Sequence, residues 1–340
     1  MSYRIEIMTR DGHAFDFACE PGQDLLSAAT AATITLPSQC RRGSCGACHA
    51  TVSDGDYDLG THGQDALPAG EPGAILMCCT TPRSDLRVAA PYDRTKVLLQ
   101  PVPSRAAQIV ALDAIADGTL RVELRIDPDD PGGSAVEFEA GQFVELELPG
   151  SDVRRPFSLA NTSNWEGRLE FLIRLTPEGR FSAYLRDTAK PGDTLIVHGP
   201  TGGFGLIAES LRPRWFVAGG TGLAPVVSML RRMAEYQEMN DARLFFGVNR
   251  ESELFMLDAL SELQAQLPQL QVEVCVRYPQ DGWTGASGTP VDLLSAALSQ
   301  AEVAPDLYVC GPPALVKGAH DAAAAARVPR TQFVSERFAS

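Results

Sequence analysis

The chain has 340 residues, enough for two or three domains with a sizeable core. It carries 29 Lys and Arg against 43 Asp and Glu, a net charge of −14 that disfavours nucleic acid and anionic membranes as partners. Charged residues occupy the start of the chain, where a secretory signal needs an apolar core, and glycines and a proline interrupt the apolar stretch at 215–230. We therefore expect a cytoplasmic protein with no membrane span.

The first segment, residues 1–95, begins with β structure. Apolar and polar residues alternate on both sides of Asp11 and Gly12, which predicts a hairpin over 3–17. A helix is predicted over 24–32, and a last strand over 86–88. Two prolines then indicate a linker at 96–104.

The rest of the chain shows two different patterns of predicted secondary structure. Between 105 and 208 short strand-like runs predict an antiparallel barrel or sandwich, with strands at 108–112, 120–126, 142–148, 169–175 and 194–198 and a helix at 182–188. From 209 to 340 strands and helices alternate, which predicts a parallel sheet covered by helices. These strands are expected at 215–218, 244–248, 271–276 and 307–310, and the helices at 226–236, 254–267, 291–298 and 314–326.

Five of the eight cysteines lie between residues 40 and 79, and in a reducing compartment such clustering favours metal ligation over disulfides. Cys40, Cys45, Cys48 and Cys78 have the spacing C-x4-C-x2-C-x29-C, which matches a plant-type [2Fe–2S] site. A zinc ribbon would need two close pairs, although structural zinc and free thiols remain alternatives. Cys79 competes with Cys78 as fourth ligand, but neighbours in a strand point to opposite faces.

Two motifs in the middle segment favour a diphosphate-bearing ligand. Residues 154–161 read RRPFSLAN at the end of a strand. About twenty residues on, Gly179 and Ser182 stand at a helix start, where free N–H groups and the helix dipole suit phosphate. Alone, the first motif is more typical of a solvated turn, and the second is more typical of a capping serine with no ligand.

The last segment carries a glycine turn and a partner motif. Gly219, Gly220, Thr221 and Gly222 follow a strand and precede a helix, which lets the backbone approach a pyrophosphate. Cys310, Gly311 and Pro312 lie at the carboxyl end of a later strand, where open α/β sheets bind ligands. A structural core cysteine is the alternative for Cys310.

These motifs carry a family resemblance. Residues 1–95 resemble a plant-type ferredoxin domain, which implies a β-grasp fold, and R-x-F-S followed by G-x-x-S resembles the flavin domain of the ferredoxin–NADP⁺ reductase superfamily. The resemblance implies that Arg155 pairs with the FAD diphosphate and that Ser158 contacts the flavin near N5. The further FAD-binding residues that it implies are Pro156, Phe157, Gly179, Arg180, Phe181 and Ser182. Phe157 replaces the commoner tyrosine, which removes one hydroxyl contact.

The same resemblance implies that residues 219–222, with Gly311 and Pro312, bracket the nicotinamide of NAD(P)H, and that Cys310 lies beside it. Glu336 is expected close to the redox centre and Phe338 against the flavin, with a frayed tail as the alternative. Acidic residues after the second strand favour NADH over NADPH, although Arg250 offers some support for a 2′-phosphate.

The order of ferredoxin, flavin and nicotinamide segments predicts an NADH-dependent reductase. NADH delivers two electrons together and a [2Fe–2S] cluster accepts one, so FAD must divide the pair. Residues 54–59, 168–174 and 216–229 resemble reductase components of soluble methane monooxygenases, which implies a di-iron hydroxylase as acceptor and a small regulatory component as a further candidate partner. The alternatives are a reductase for an aromatic-ring dioxygenase or a phenol or alkene hydroxylase, and a non-enzymatic iron–sulfur or zinc module.

An acidic surface on the ferredoxin segment offers a candidate docking face. Residues 1–95 contain 12 Asp and Glu and 7 Arg, a balance of −5. Asp54, Asp56, Asp58 and Asp65 would face a basic groove on the hydroxylase. Ordinary solvated surface is the alternative.

Overall fold

The computed structural model describes residues 2–63, 66–67, 71–151 and 153–338, which form two compact units. The first contains the chain up to Pro103 with Thr201–Gly203, and the second contains Ser104–Pro200 and Phe204–Phe338. The boundaries expected for three separate domains stay a prediction. Among the described residues, no helix combines the length and apolar character needed to cross a membrane.

The first unit is built on a five-stranded sheet with the order β2-β1-β7-β3-β5. β1 is antiparallel to β2 and parallel to β7, and α1 is N-capped by Asp24, whose carboxylate accepts from the N–H of Ser27 at 3.0 Å. This arrangement confirms the predicted β-grasp fold. Its elements are β1 (Tyr3–Met8), β2 (Ala14–Cys19), α1 (Leu25–Ala31), β3 (His49–Asp54), β4 (Tyr57–Leu59), β5 (Ala74–Leu76), β6 (Thr80–Pro82) and β7 (Leu86–Ala89).

The segment that was expected to be a linker begins within this unit. Thr35 and Leu98 exchange two backbone hydrogen bonds, of 2.8 and 3.1 Å. A short 3₁₀ turn at Arg94–Lys96 precedes this bridge. The chain up to Leu98 is therefore tied to the first unit.

The second unit begins with an antiparallel barrel whose strand order is β11-β10-β13-β8-β9-β12. Leu159, just after β11, forms an antiparallel bridge with Phe171 of β12, which joins the two ends of the sheet. The predicted antiparallel barrel is confirmed. Its elements are β8 (Ser104–Ala116), β9 (Thr119–Ile126), β10 (Phe143–Glu147), β11 (Arg154–Ser158), β12 (Arg168–Arg174), α2 (Arg180–Asp187) and β13 (Thr194–Thr201).

The same unit continues into a parallel sheet with the order β17-β16-β15-β14-β18-β19, and apolar clusters cover both of its faces. This confirms the predicted α/β arrangement. The elements are β14 (Arg214–Gly219), α3 (Leu223–Glu235), β15 (Ala242–Val248), α4 (Leu257–Gln266), β16 (Leu270–Val276), β17 (Ala286–Ser287), α5 (Pro290–Leu298), β18 (Asp306–Gly311), α6 (Pro313–Ala325) and β19 (Phe333–Arg337). Helix α4 begins three residues later than predicted, because Met256 has a left-handed φ of 61°.

The order of this sheet determines which segments meet. β18 lies between β14 and β19, and Cys310 is in register with Ala218 on one side and Glu336 on the other. The strands are parallel, so their carboxyl ends share one edge of the sheet. Three separate sequence motifs are thereby brought together.

Candidate functional site

The four predicted cluster ligands lie as two pairs of thiols. Cys40 and Cys45 each receive the other's backbone N–H on sulfur, at N···S distances of 3.4 Å. The Sγ atoms of Cys48 and Cys78 are 3.3 Å apart. Within the described part of the chain no three His, Cys, Asp or Glu side chains converge on a single metal position.

The loop around Cys40 directs donors at its sulfur. The Arg42 N–H lies 3.4 Å from Cys40 Sγ, and the Ser44 hydroxyl lies 3.3 Å from it. The hydrogen bond with the Cys45 thiol, together with these donors, holds the pKa of Cys40 well below its usual range, whereas the same contact raises the pKa of Cys45. Such a loop favours a thiolate, which is the form that ligates iron.

The argument that separated Cys79 from Cys78 is wrong. Both residues lie in a turn between β5 and β6 instead of a strand, and their Sγ atoms are only 3.5 Å apart. Cys79 also lies against the cysteine loop, since a Cβ added to Gly43, whose φ is +71°, would lie 2.6 Å from Cys79 Sγ. The preference for Cys78 therefore rests on the sequence spacing and on its closeness to Cys48.

A buried polar cluster joins the barrel to the parallel sheet. The Ser158 hydroxyl, at the end of β11, donates to Glu336 Oε2 at 2.9 Å, and the Cys310 thiol lies 3.9 Å from the same oxygen. Ser158 and Glu336 are each 6% exposed and Cys310 is fully buried. Three of the predicted catalytic residues thus meet around one carboxylate.

Burial controls the protonation of this cluster. It raises the pKa of Glu336 to about 7, against the lowering effect of the Ser158 and Cys310 hydrogen bonds. Burial also raises the pKa of Cys310 well above its usual value, with a further contribution from Glu336. The thiol is therefore neutral at physiological pH, and the carboxyl exchanges a proton near neutrality.

Phe338 follows the cluster in a fixed position. Its N–H donates to the Gly311 carbonyl at 3.0 Å, and its side chain packs against the core of the second unit. Glu336 lies within β19, so the described part of the tail is paired and not frayed.

The predicted nicotinamide loops touch each other. Residues 219–222 end β14 as a short 3₁₀ turn and lead directly into α3. A Cβ on Gly222 would lie 2.2 Å from the carbonyl oxygen of Cys310, so only glycine allows this approach. A Cβ on Gly219 would likewise lie 2.8 Å from Leu315 Cδ1 and 3.2 Å from Pro312 Cδ. The structure thus brings both motifs to one edge of the sheet.

The predicted flavin residues lie on β11 and at the start of α2. Arg155 is exposed, and its Nη1 donates to the Arg154 carbonyl at 2.8 Å. Phe157 packs beside Phe181, with ring centroids 5.1 Å apart. Ser182 accepts the Thr176 N–H at 3.0 Å, so its hydroxyl faces Thr176 at the start of α2.

Three family models match successive parts of the chain. A "2Fe-2S iron-sulfur cluster binding domain" matches residues 8–83. An "Oxidoreductase FAD-binding domain" matches 108–205, and an "Oxidoreductase NAD-binding domain" matches 216–321. These three family models confirm the cofactors expected from the sequence, which are [2Fe–2S], FAD and NADH.

Relatives and solved structures agree along the whole chain. Methane monooxygenase component C of Methylosinus trichosporium is 39% identical, over 87% of this chain and 87% of its own. The chain belongs to the family of oxygenase electron-transfer reductases. Another member of this reductase family, the 2-halobenzoate 1,2-dioxygenase electron transfer component of Burkholderia cepacia, is 32% identical over 100% of this chain and 98% of its own. A crystal structure of an Amycolatopsis cytochrome P450 reductase has a TM-score of 0.73 and 29% identity and covers 98% of both chains.

The residues of this reductase fit the three groups that its family implies. Two pairs of thiols suit a cluster with two irons, each of which needs two thiolates. The exposed Arg155 and the first turn of α2 suit the FAD diphosphate. The glycine turn at 219–222 and its close contact with Cys310 at the sheet edge suit a dinucleotide, because glycine lets the backbone approach a phosphate closely.

Sequence reasoning missed the polar contacts between α3 and the barrel. Ser228 and Arg231 interrupt the apolar face of α3, and both donate hydrogen bonds to backbone carbonyls just beyond Ser158. The signal in the sequence was a serine three residues before an arginine within a mostly apolar helical pattern, and the structure buries that serine fully.

Proposed function

We propose that this reductase takes an electron pair from NADH and passes it through FAD and the [2Fe–2S] cluster to the di-iron hydroxylase of a methane monooxygenase. The observation that carries the proposal is the buried contact of Ser158 and Cys310 with Glu336. This contact brings together the flavin motif, which contains Ser158, the nicotinamide motif, which contains Cys310, and strand β19, which contains Glu336, in one buried site.

FAD held by β11 and the start of α2 would supply the exchange between two-electron and one-electron chemistry, and a [2Fe–2S] cluster held by the four cysteines would supply one-electron chemistry. Ser158 orients the flavin edge while Glu336 holds its hydroxyl at 2.9 Å. Glu336, with a pKa raised to about 7, holds or releases a proton beside the reacting atoms. The neutral Cys310 thiol supports the nicotinamide face, and Phe338 covers the flavin.

Different structural elements would bind the two dinucleotides, FAD and NADH. Arg155, Pro156 and Phe157 would hold FAD from β11, and residues 179–182 would bind its phosphates at the start of α2. The 219–222 loop, with Gly311 and Pro312, would hold NADH. The preference for NADH is a proposal from the acidic residues after β15, of which Glu253 accepts the Asn249 N–H at 3.1 Å.

The methane monooxygenase acceptor is supported by the 39% identity to component C. An aromatic-ring dioxygenase is the second candidate acceptor, because the 2-halobenzoate 1,2-dioxygenase electron transfer component of Burkholderia cepacia is 32% identical over the full chain. We expect faster turnover with a purified di-iron hydroxylase than with a ring dioxygenase. Faster turnover with the dioxygenase would instead make the dioxygenase the acceptor. A small regulatory component and a cytoplasmic location belong to the same proposal.

The acidic docking face has partial support. Asp54, Asp56 and Asp58 are exposed, although Asp58 forms an ion pair with Arg83. Asp65 lies outside the described residues. If these charges steer docking, electron transfer to the hydroxylase slows as ionic strength rises. Salt-insensitive transfer would leave this face as ordinary solvated surface.

A spectrum and an anaerobic titration test the electron path. The purified protein is expected to show flavin and iron–sulfur absorbance together, and NADH should bleach both. Zinc as the only metal, or no flavin, would refute the proposal. Reduction of FAD without reduction of the cluster would refute the proposed order of the centres.

A further inference from the structure

Polar side chains on one face of α3 contact the backbone that follows Ser158. The Ser228 hydroxyl donates to the Asn161 carbonyl at 2.7 Å, and Arg231 Nη1 donates to the Ala160 carbonyl at 2.9 Å. One helical turn further on, Glu235 accepts from the Thr162 hydroxyl. The spacing of these three α3 residues places them on the same side of the helix.

A buried carboxylate completes this contact. Arg231 Nη1 also lies 2.9 Å from Glu170 Oε2, and Glu170 is 2% exposed. The backbone of Glu170 holds the same segment, since its carbonyl accepts the Ala160 N–H at 2.8 Å and its N–H donates to Asn161 Oδ1 at 2.9 Å. Both backbone groups of Ala160 are therefore hydrogen-bonded, its carbonyl to Arg231 and its N–H to the Glu170 carbonyl.

A buried carboxylate needs a cationic partner, and three arginines approach this one, of which Arg168, on the barrel strand β12, is the most distant at 4.0 Å. Arg121 Nε lies 3.5 Å from Glu170 Oε1, against 2.9 Å for the Arg231 contact with Oε2. Arg121 is on the barrel strand β9, whereas Arg231 is on α3. Only the Arg231 contact crosses from the barrel to the helix, so it bears on their relative position.

Helix α3, which contains Arg231, begins directly after the 219–222 loop. The residue whose carbonyl Arg231 hydrogen-bonds, Ala160, lies two residues after Ser158. A helix transmits position rigidly along its axis, so fixing α3 against Ala160 also fixes the loop against Ser158. We propose that Arg231 is a positioning residue that sets the nicotinamide loop at the correct distance and angle from the flavin.

This inference rests on the proposed transfer from NADH to FAD. In that step the C4–H bond of NADH breaks, the hydrogen leaves with both electrons of the bond, and it is taken up at N5 of the flavin. The products are oxidised nicotinamide and reduced flavin, and no further proton is consumed. Such a transfer is steeply sensitive to a misplacement of about 1 Å, which costs up to about 100-fold in rate.

Anaerobic stopped-flow mixing of the FAD-loaded protein with NADH tests the inference. Arg231→Ala should lower the limiting rate of flavin reduction by about 10-fold to 100-fold. The affinity for NADH should change little, and the FAD content should stay full. The long-wavelength charge-transfer absorbance of the NADH–flavin complex, which depends on ring overlap, should weaken or shift. Arg231→Lys, which keeps the charge and N–H donors but not the planar guanidinium geometry, should recover part of both signals.

Arg232→Ala is the matched control, because it removes the same charge from the same helix and Arg232 pairs with Glu238 instead of the barrel. Equal rates and equal charge-transfer spectra in Arg231→Ala and Arg232→Ala would overturn the inference. So would a lower thermal stability or FAD content in Arg231→Ala with an unchanged limiting rate. If Arg231→Ala does not fold, Arg231→Lys and Ser228→Ala decide, and wild-type rates in both overturn it. A wild-type protein that NADH does not reduce would instead refute the proposed function.

Discussion

Replacing Glu336 with glutamine isolates the effect of one buried carboxyl on stability. Burial raises its pKa from the ordinary 4.5 to about 7, so the folded protein holds this proton more tightly than the unfolded chain. Its stabilising contribution is therefore complete below pH 4.5 and is lost as pH rises through 7. At about 1.4 kcal/mol for each pH unit the loss totals about 3 kcal/mol, of which about 2.5 kcal/mol falls between pH 5 and pH 8.

Glutamine accepts the Ser158 hydrogen bond and does not titrate, so Glu336→Gln should gain about 2.5 kcal/mol over wild type between pH 5 and pH 8. Urea unfolding followed by tryptophan fluorescence measures this, because Trp165, Trp215 and Trp283, the three tryptophans of the chain, lie in the second unit. Glu262→Gln makes the same change at an exposed position and should leave the pH profile unaltered. Parallel profiles for Glu336→Gln and wild type would refute the reasoning.

Three further changes test the separate sites. Cys78→Ala should abolish the iron–sulfur absorbance and electron paramagnetic resonance signal while Cys79→Ala keeps both, and the opposite pattern would make Cys79 the ligand. Gly222→Ala should destabilise the protein by about 1–3 kcal/mol and slow flavin reduction, because the new Cβ would lie 2.2 Å from the Cys310 carbonyl oxygen. Normal flavin reduction would show that this approach is not needed. Arg155→Ala should weaken FAD binding about 10-fold to 100-fold in a fluorescence titration, and retained affinity would remove Arg155 from the site.

The fold was predictable where short-range patterns specify it. Alternation around Asp11 and Gly12 predicted the first hairpin, and Asp24 marked the start of α1. The spacing of Cys40, Cys45 and Cys48 and the glycine turn at 219–222 predict candidate sites because each of these residue sets lies within one loop. For such motifs local sequence and local structure carry the same information.

Contacts set by long-range register could not be read in this way. Sequence reasoning expected Glu336 near the redox centre only by resemblance, because its contact with Ser158 spans 178 positions and depends on β19 pairing with β18. The Cys79 argument assumed a strand where the chain makes a turn. The hydrogen bond from Arg231 to the Ala160 carbonyl forms only when α3 packs against the barrel.

β19 is the last strand of its sheet, and among the described strands it pairs with β18 alone. Edge strands separate at a lower free energy than the centre of a sheet, so the carboxyl of Glu336 is held by one of the less protected parts of the second unit. We therefore expect the site to lose its geometry by local opening of β19 before the second unit unfolds globally. On heating, NADH-dependent flavin reduction should fail while the circular dichroism and the cluster colour still report a folded protein.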